Sequence, residues 1–137
     1  MESTQLNRLQ LTPDLNICRI LNGLWQVSGA HGLINRELAI TEMFTYIDAG
    51  LTTWDLADHY GPAEEFVGEF RQRLKAARGE AALTQLQFFT KWVPRPVFIT
   101  RKIVEDAINR SLHRMNTSTL DLLQFHWWDY QDNNYLN

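Results

Sequence analysis

The sequence predicts an α/β fold built from parallel βαβ units, and three observations carry that expectation. Short stretches rich in β-branched and aromatic residues alternate with helical patterns of about ten to fifteen residues, which is the signature of right-handed βαβ units. No Gly-rich phosphate fingerprint of the G-x-G-x-x-G type follows the first strand, which argues against a doubly wound dinucleotide fold and leaves a barrel. Polar residues fall at the ends of three consecutive predicted strands, where a parallel barrel gathers its active site. About four parallel strands and three helices after a short N-terminal hairpin amount to the N-terminal half of a (β/α)8 TIM barrel, since a whole one takes ~250 residues and the chain has 137. The expectation is therefore one domain over residues 1–137 with the C-terminal half of the barrel absent.

Each element has its own signal. Between Leu9 and Ile20, Thr12-Pro13-Asp14 separates two apolar stretches and predicts a hairpin turn. Ile20 to Trp25 reads as a short buried strand, followed by a loop carrying Gly29 and Gly32. From Asn35, a candidate N-cap, Ile40, Met43, Phe44 and Ile47 recur at the spacing of one helical face, and Gly50 stands where a helix end favours a left-handed residue. Leu51 to Leu56 is the second strand. The second helix runs from Ala63 to Lys75, with Pro62 near its first turn, Glu64 and Glu65 at the positive end of the dipole, and Phe66, Val67, Phe70 and Leu74 inward. Leu86 to Lys91 is the third strand. Thr100 caps a third helix with Val104, Ala107, Ile108 and Leu112 inward, and Leu120 to His126 is the fourth strand.

Composition narrows the partners. A net charge of -3 with interspersed signs gives no positive stripe for nucleic acid, so a small neutral or anionic substrate is the expectation. No apolar run approaches the ~20 residues of a membrane span, and Met1 to Leu6 lacks the pattern of a signal peptide. Cys18 is the one cysteine, which excludes an internal disulfide framework and a cysteine-rich zinc site. A reducing compartment, the cytoplasm, is the expected setting.

Asp55 ends the second strand, Lys91 the third and His126 the fourth, with Tyr60 a short loop beyond Asp55. Strand alternation places Thr53 on the face of Asp55, Phe89 and Gln87 on that of Lys91, and Gln124 and Leu122 on that of His126. Such a set permits proton delivery to a carbonyl oxygen. A tyrosine, with a reference pKa of ~10, is a poor acid unless a neighbour favours its anion. A lysine ammonium does so, and a carboxylate beside that lysine keeps it charged. His126 then serves as a hydrogen-bond donor to the substrate carbonyl. Taken singly each residue has a plainer role, as a cap, a packed aromatic or a solvated strand end; the coincidence of four is what points to catalysis.

Asp55-Leu56-Ala57-Asp58-His59-Tyr60-Gly61 with Ala63-Glu64 resembles the D-x-A-x-x-Y-G and A-E motif of aldo-keto reductases. Thr90-Lys91 resembles that family's T-K strand end, Ser111-Leu112-His113-Arg114-Met115 its S-L-x-R-L, and Asp121 to His126 its D-L-x-x-x-H strand. The match runs in order from about Ile20 to Asp129. The resemblance implies a catalytic tetrad of Asp55, Tyr60, Lys91 and His126, with Tyr60 as general acid in the NADP(H)-dependent reduction of an aldehyde or ketone. It implies that Gly23, Leu24, Trp25 and Asp55 lie against the cofactor, and that the remaining cofactor contacts lie on later strands outside this sequence. Trp25, Trp92, Trp127 and Trp128 are candidates for an apolar substrate wall.

A second reading stays open: a catalytically inactive fragment or interaction module of the same ancestry, whose two open sheet edges favour self-association. A metal site using His59, His126 and nearby carboxylates is the weaker alternative, because Tyr60 and Lys91 already account for the set, and no metal is expected.

Overall fold

The computed structural model describes residues 8–133 and 135, so the expected domain limits at 1 and 137 lie outside the described residues. An antiparallel hairpin of β1 (Arg8–Thr12) and β2 (Leu15–Cys18) precedes a four-stranded parallel sheet. That sheet has the order β3 (Asn22–Gly23), β4 (Thr53–Asp55), β5 (Gln87–Trp92) and β6 (Leu122–Phe125). Helices α1 (Arg36–Asp48), α2 (Ala63–Arg78) and α3 (Arg101–Arg114) connect successive strands. Sequential parallel pairing through crossover helices is the arrangement of a barrel wall, here four strands of it. No described helix is long and apolar enough to cross a membrane.

The helices start and stop where local chemistry dictates. Asn35 accepts a hydrogen bond from the Leu38 amide at 3.0 Å, and Thr100 does the same for Ile103 at 3.3 Å, so both act as N-caps. Gly50, with φ of 82°, turns the chain from α1 into β4. The core lies between the sheet and the helices: Trp54 and Phe88 on the outer face of the sheet meet Ile40 and Met43 of α1 and Val67, Phe70 and Leu74 of α2. Gly68 is buried where α2 crosses the end of α3; a Cβ there would stand 2.1 Å from the Arg114 carbonyl oxygen.

The opposite face of the sheet carries polar groups. At the N-terminal ends of the strands, Arg8 donates to Thr52 Oγ1 at 3.0 Å, Gln87 Oε1 at 3.0 Å and Cys18 Sγ at 3.2 Å. Thr53 Oγ1 donates to Gln87 Oε1 at 2.9 Å and accepts from the Cys18 amide at 2.9 Å. The hairpin thereby plugs this end of the sheet with a satisfied hydrogen-bond network.

Several expectations need correction. The first parallel strand is two residues long; Ile20 is 64% exposed, and Leu24 and Trp25 belong to a 3-10 turn over Leu24–Ser28. An unforeseen 3-10 turn, Glu80–Gln85, links α2 to β5. Helix α2 runs three residues further than expected, to Arg78. The other strands are shorter or shifted by one or two residues, and His126 lies just beyond β6.

Candidate active site

Strand pairing dictates the geometry of the C-terminal end. Asp55, the last residue of β4, pairs with Phe89, so Lys91 stands two residues further along β5 on the same face. The Lys91 ammonium reaches back and donates to Asp55 Oδ2 at 2.7 Å and to the Leu56 carbonyl at 2.7 Å. The side chains are 15% and 30% exposed, so this pair is half-buried at the mouth of the sheet rather than sealed inside it.

The segment after β4 is held close to β5. Leu56 N–H donates to the Phe89 carbonyl at 2.8 Å and Asp58 N–H to the Lys91 carbonyl at 2.9 Å. A turn closed by Tyr60 N–H on the Ala57 carbonyl at 3.2 Å then folds the phenol back. Lys91 Nζ sits 5.0 Å from the centre of the Tyr60 ring, over its face, a cation–π contact. Among the described residues the Tyr60 hydroxyl has no hydrogen-bond partner. Trp25 packs edge-on against Tyr60 at 5.0 Å, as does His59. Gly61 makes the Trp25 contact possible: its φ is 51°, and a Cβ there would come within 2.3 Å of the Ser28 carbonyl oxygen at the end of the Trp25 turn.

His126 arrives from the neighbouring strand. Lys91 pairs with Gln124, so alternation puts His126 on the same face and further toward the C-terminal end. Its amide donates to the Trp92 carbonyl at 2.9 Å, and its ring stacks on Trp128 at 4.3 Å. Asp55, Lys91 and Tyr60 are thus in direct contact, while His126 shares their end of the sheet and contacts Trp92 and Trp128 instead.

The sequence profile of the aldo/keto reductase family matches residues 19–136. The chain belongs to the aldo/keto reductase family. Aldo-keto reductase YhdN of Bacillus subtilis (strain 168) is 30% identical over 120 residues, covering 81% of this chain and 34% of that protein. The crystal structure of a Bombyx mori aldo-keto reductase in complex with NADP superposes with a TM-score of 0.72 at 22% identity, over 95% of this chain and 42% of that one. An aldo/keto reductase structure from Brucella melitensis gives 0.64 at 22% identity, over 89% and 41% of the two chains. The chain therefore spans less than half the length of these relatives, and the structural likeness, at such low identity, concerns the fold.

Within this aldo/keto reductase fold the four candidate tryptophans divide. Trp25, 42% exposed, stands beside Tyr60, and Trp128, 60% exposed, lies on His126. Trp92 follows Lys91 and so points to the opposite face, where it meets Phe125 at 5.4 Å. Trp127 is buried, stacks on Phe125, packs at a tilt against Tyr135, and spends its indole N–H on the carbonyls of Asp129 and Asp132. Trp92 therefore ends β5 on the face away from Lys91, and Trp127 packs within the segment after β6.

Of the proposed cofactor contacts, Leu24 is buried in the core, which leaves only its backbone for a ligand. Gly23 pairs with Asp55 in the sheet, and a Cβ on it would meet nothing nearer than Gln26 Oε1 at 3.9 Å. Nothing within the protein requires glycine there, and the space above it is open. Among the described residues no group of three or more His, Cys, Asp or Glu side chains could hold a metal ion.

One set of residues escaped the sequence reading. Glu64, which the sequence places at the positive end of the α2 dipole, is 1% exposed; it accepts from Thr90 Oγ1 at 2.7 Å and from Arg114 Nη1 at 3.2 Å. The same Arg114 nitrogen donates to the Asp58 carbonyl at 3.0 Å. A signal existed: Glu64 stands one turn before Val67 and Gly68, on the inward side of α2.

Proposed function

We propose that this chain carries the catalytic corner of an NADP(H)-dependent oxidoreductase that reduces small-molecule aldehydes or ketones to alcohols, with Tyr60 as the general acid. The observation that supports it most is the contact of three groups at one strand end: the Lys91 ammonium bonded to Asp55 and seated over the Tyr60 ring. The chemistry needs a proton at the carbonyl oxygen as a hydride reaches the carbonyl carbon. The Tyr60 O–H bond breaks and the substrate oxygen takes the proton, so the phenolate left behind faces the Lys91 cation. Asp55 supplies the counter-charge beside the half-buried Lys91 ammonium. The ring of His126, with no hydrogen-bond partner among the described residues, is suited to orient the carbonyl from the neighbouring strand.

The residues present suit the nicotinamide and ribose end of the cofactor, which when bound supplies the hydride. Asp55 Oδ2 is engaged by Lys91, while its other oxygen has no partner among the described residues and can accept from a sugar hydroxyl. The open space above Gly23 and the exposed indole of Trp25 fit a flat ring beside it. Trp25 and Trp128 are the apolar walls left for substrate.

The test joins this chain to the C-terminal half of a matching reductase and measures NADPH oxidation with a reactive aromatic aldehyde. Parental turnover that disappears in Tyr60→Phe, with NADPH binding kept, is the expected result; undiminished kcat in that variant overturns the assignment. The 137-residue chain on its own, less than half the length of its solved relatives, is expected to give no turnover. Tyr60-dependent turnover by the pure chain would show that the later strands are dispensable.

A further inference from the structure

We propose that Glu64, Arg114 and Thr90 form a positioning device that fixes the Tyr60 turn over Lys91, an inference that rests on the reading of Tyr60 as proton donor. A buried carboxylate is costly to desolvate, and replacing a buried ion pair by apolar residues is often neutral or stabilising. General stability is thus a weak reason for a 1%-exposed Glu64 to face Arg114. Where the network attaches gives a stronger one.

Its first end is Thr90, the residue before Lys91. On β5 the two side chains point to opposite faces: Lys91 holds the Leu56 carbonyl from one, and Thr90 Oγ1 holds Glu64 from the other at 2.7 Å. Its second end is the Asp58 carbonyl, two residues before Tyr60, which Arg114 Nη1 engages at 3.0 Å while contacting Glu64 at 3.2 Å. Asp58 N–H is already spent on the Lys91 carbonyl at 2.9 Å. Both polar backbone groups of Asp58 are therefore tied, one to β5 and one to α3. Without Arg114 the turn hangs on its strand-side bonds alone and can pivot about them. A guanidinium suits this place because its planar fork presents several donors from one rigid head group. Gly68 secures the geometry from behind, since only a residue without Cβ lets α2 lie against the Arg114 carbonyl.

The device predicts a local spectroscopic consequence. The chain has four tyrosines, Tyr46, Tyr60, Tyr130 and Tyr135, which incorporate 3-fluorotyrosine, and the Tyr60 signal is assigned with Tyr60→Phe. Tyr60 lies against Trp25, His59 and the Lys91 cation, so its ¹⁹F signal is displaced from the unfolded position. Tyr46, packed on Trp54 at 5.7 Å, is the internal control for the fold. In Thr90→Val and Arg114→Gln the Tyr60 signal loses most of its displacement while Tyr46 keeps its own; Thr90→Ser and Arg114→Lys restore much of it. An unmoved Tyr60 signal in folded Thr90→Val and Arg114→Gln overturns the proposal. So does a joint collapse of Tyr46 and Tyr60 in Thr90→Val, because the network would then hold the whole chain rather than the turn. If Arg114→Gln alone unfolds, the nearly isosteric Thr90→Val decides. Turnover is not read here, so failure of this inference is distinct from failure of the proton-donor reading, which appears as retained kcat in Tyr60→Phe.

Discussion

The two ends of the parallel sheet use similar residue types in opposite ways. At the N-terminal end, Arg8, Thr52, Thr53, Gln87 and Cys18 bond to one another, and the guanidinium alone reaches three other side chains of that set. At the C-terminal end, Lys91 and Asp55 bond to each other, yet the Tyr60 hydroxyl, the second Asp55 oxygen and the His126 ring keep hydrogen-bonding capacity that no described residue uses. Capacity consumed internally adds stability; capacity left over at a half-exposed mouth is available to a ligand. The difference separates a plug from a candidate site without reference to residue type.

That contrast can be broken most decisively at the mouth. In the joined barrel, Tyr60→Phe and Lys91→Met should each lower kcat by about 10²–10⁴-fold, the usual share of general-acid catalysis, with little change in NADPH affinity measured by fluorescence titration. An equal loss of kcat from Arg8→Met at the other end would erase the distinction. Next in size is the helix contact behind the mouth. Gly68→Ala forces a methyl group against the Arg114 carbonyl, and a loss of about 3 kcal/mol in urea unfolding is expected; an unchanged midpoint would mean that α2 and α3 shift apart freely.

At the plug, Arg8→Met leaves Gln87 and Thr52 short of a donor and should cost about 1–2 kcal/mol, read as a lower thermal midpoint. The smallest effect lies outside both regions. Glu69 of α2 is held below its ordinary value of 4.5 chiefly by its hydrogen bond from Arg36 at 2.5 Å, against some burial, with a further bond from Arg73. A lowered carboxylate contributes stability above its unfolded pKa and loses it as pH falls through the folded one. Between pH values of about 5 and 3, wild type should therefore lose its small advantage over Glu69→Gln, and a gap that widens on acidification would refute the sign.

Much of the mouth was legible in the sequence because strand period fixes it. Asp55 ends β4, Lys91 is the last residue but one of β5 and His126 directly follows β6, and the two-residue alternation that puts Thr53 and Gln87 inward also places them in the observed network. The same alternation turns Trp92 away from Lys91, a consequence that sequence period alone carries. What could not be read was long-range closure. The Trp25 turn depends on the approach of Gly61 to Ser28, and the burial of Glu64 depends on an arginine fifty positions away. The first leaves no periodic trace; helical spacing puts Glu64 on the inward side of α2 but does not point to its arginine. The Glu80–Gln85 turn lacks the apolar spacing of a helix, and Ile20 and Leu21 looked like strand core although the sheet takes up the chain only at Asn22.

The plug also contains a built-in clock. Cys18 is the chain's single thiol, and it is 1% exposed at the end of β2, within the hairpin itself. A thiol-selective reagent has no other thiol to modify, so each labelling event records one opening of that end of the sheet. When reclosing outpaces alkylation, the rate relative to an unfolded control equals the open fraction, and the free energy of lifting the hairpin follows directly. Labelling could then be compared between wild type and Arg8→Met by intact-mass spectrometry, without any cofactor, substrate or turnover.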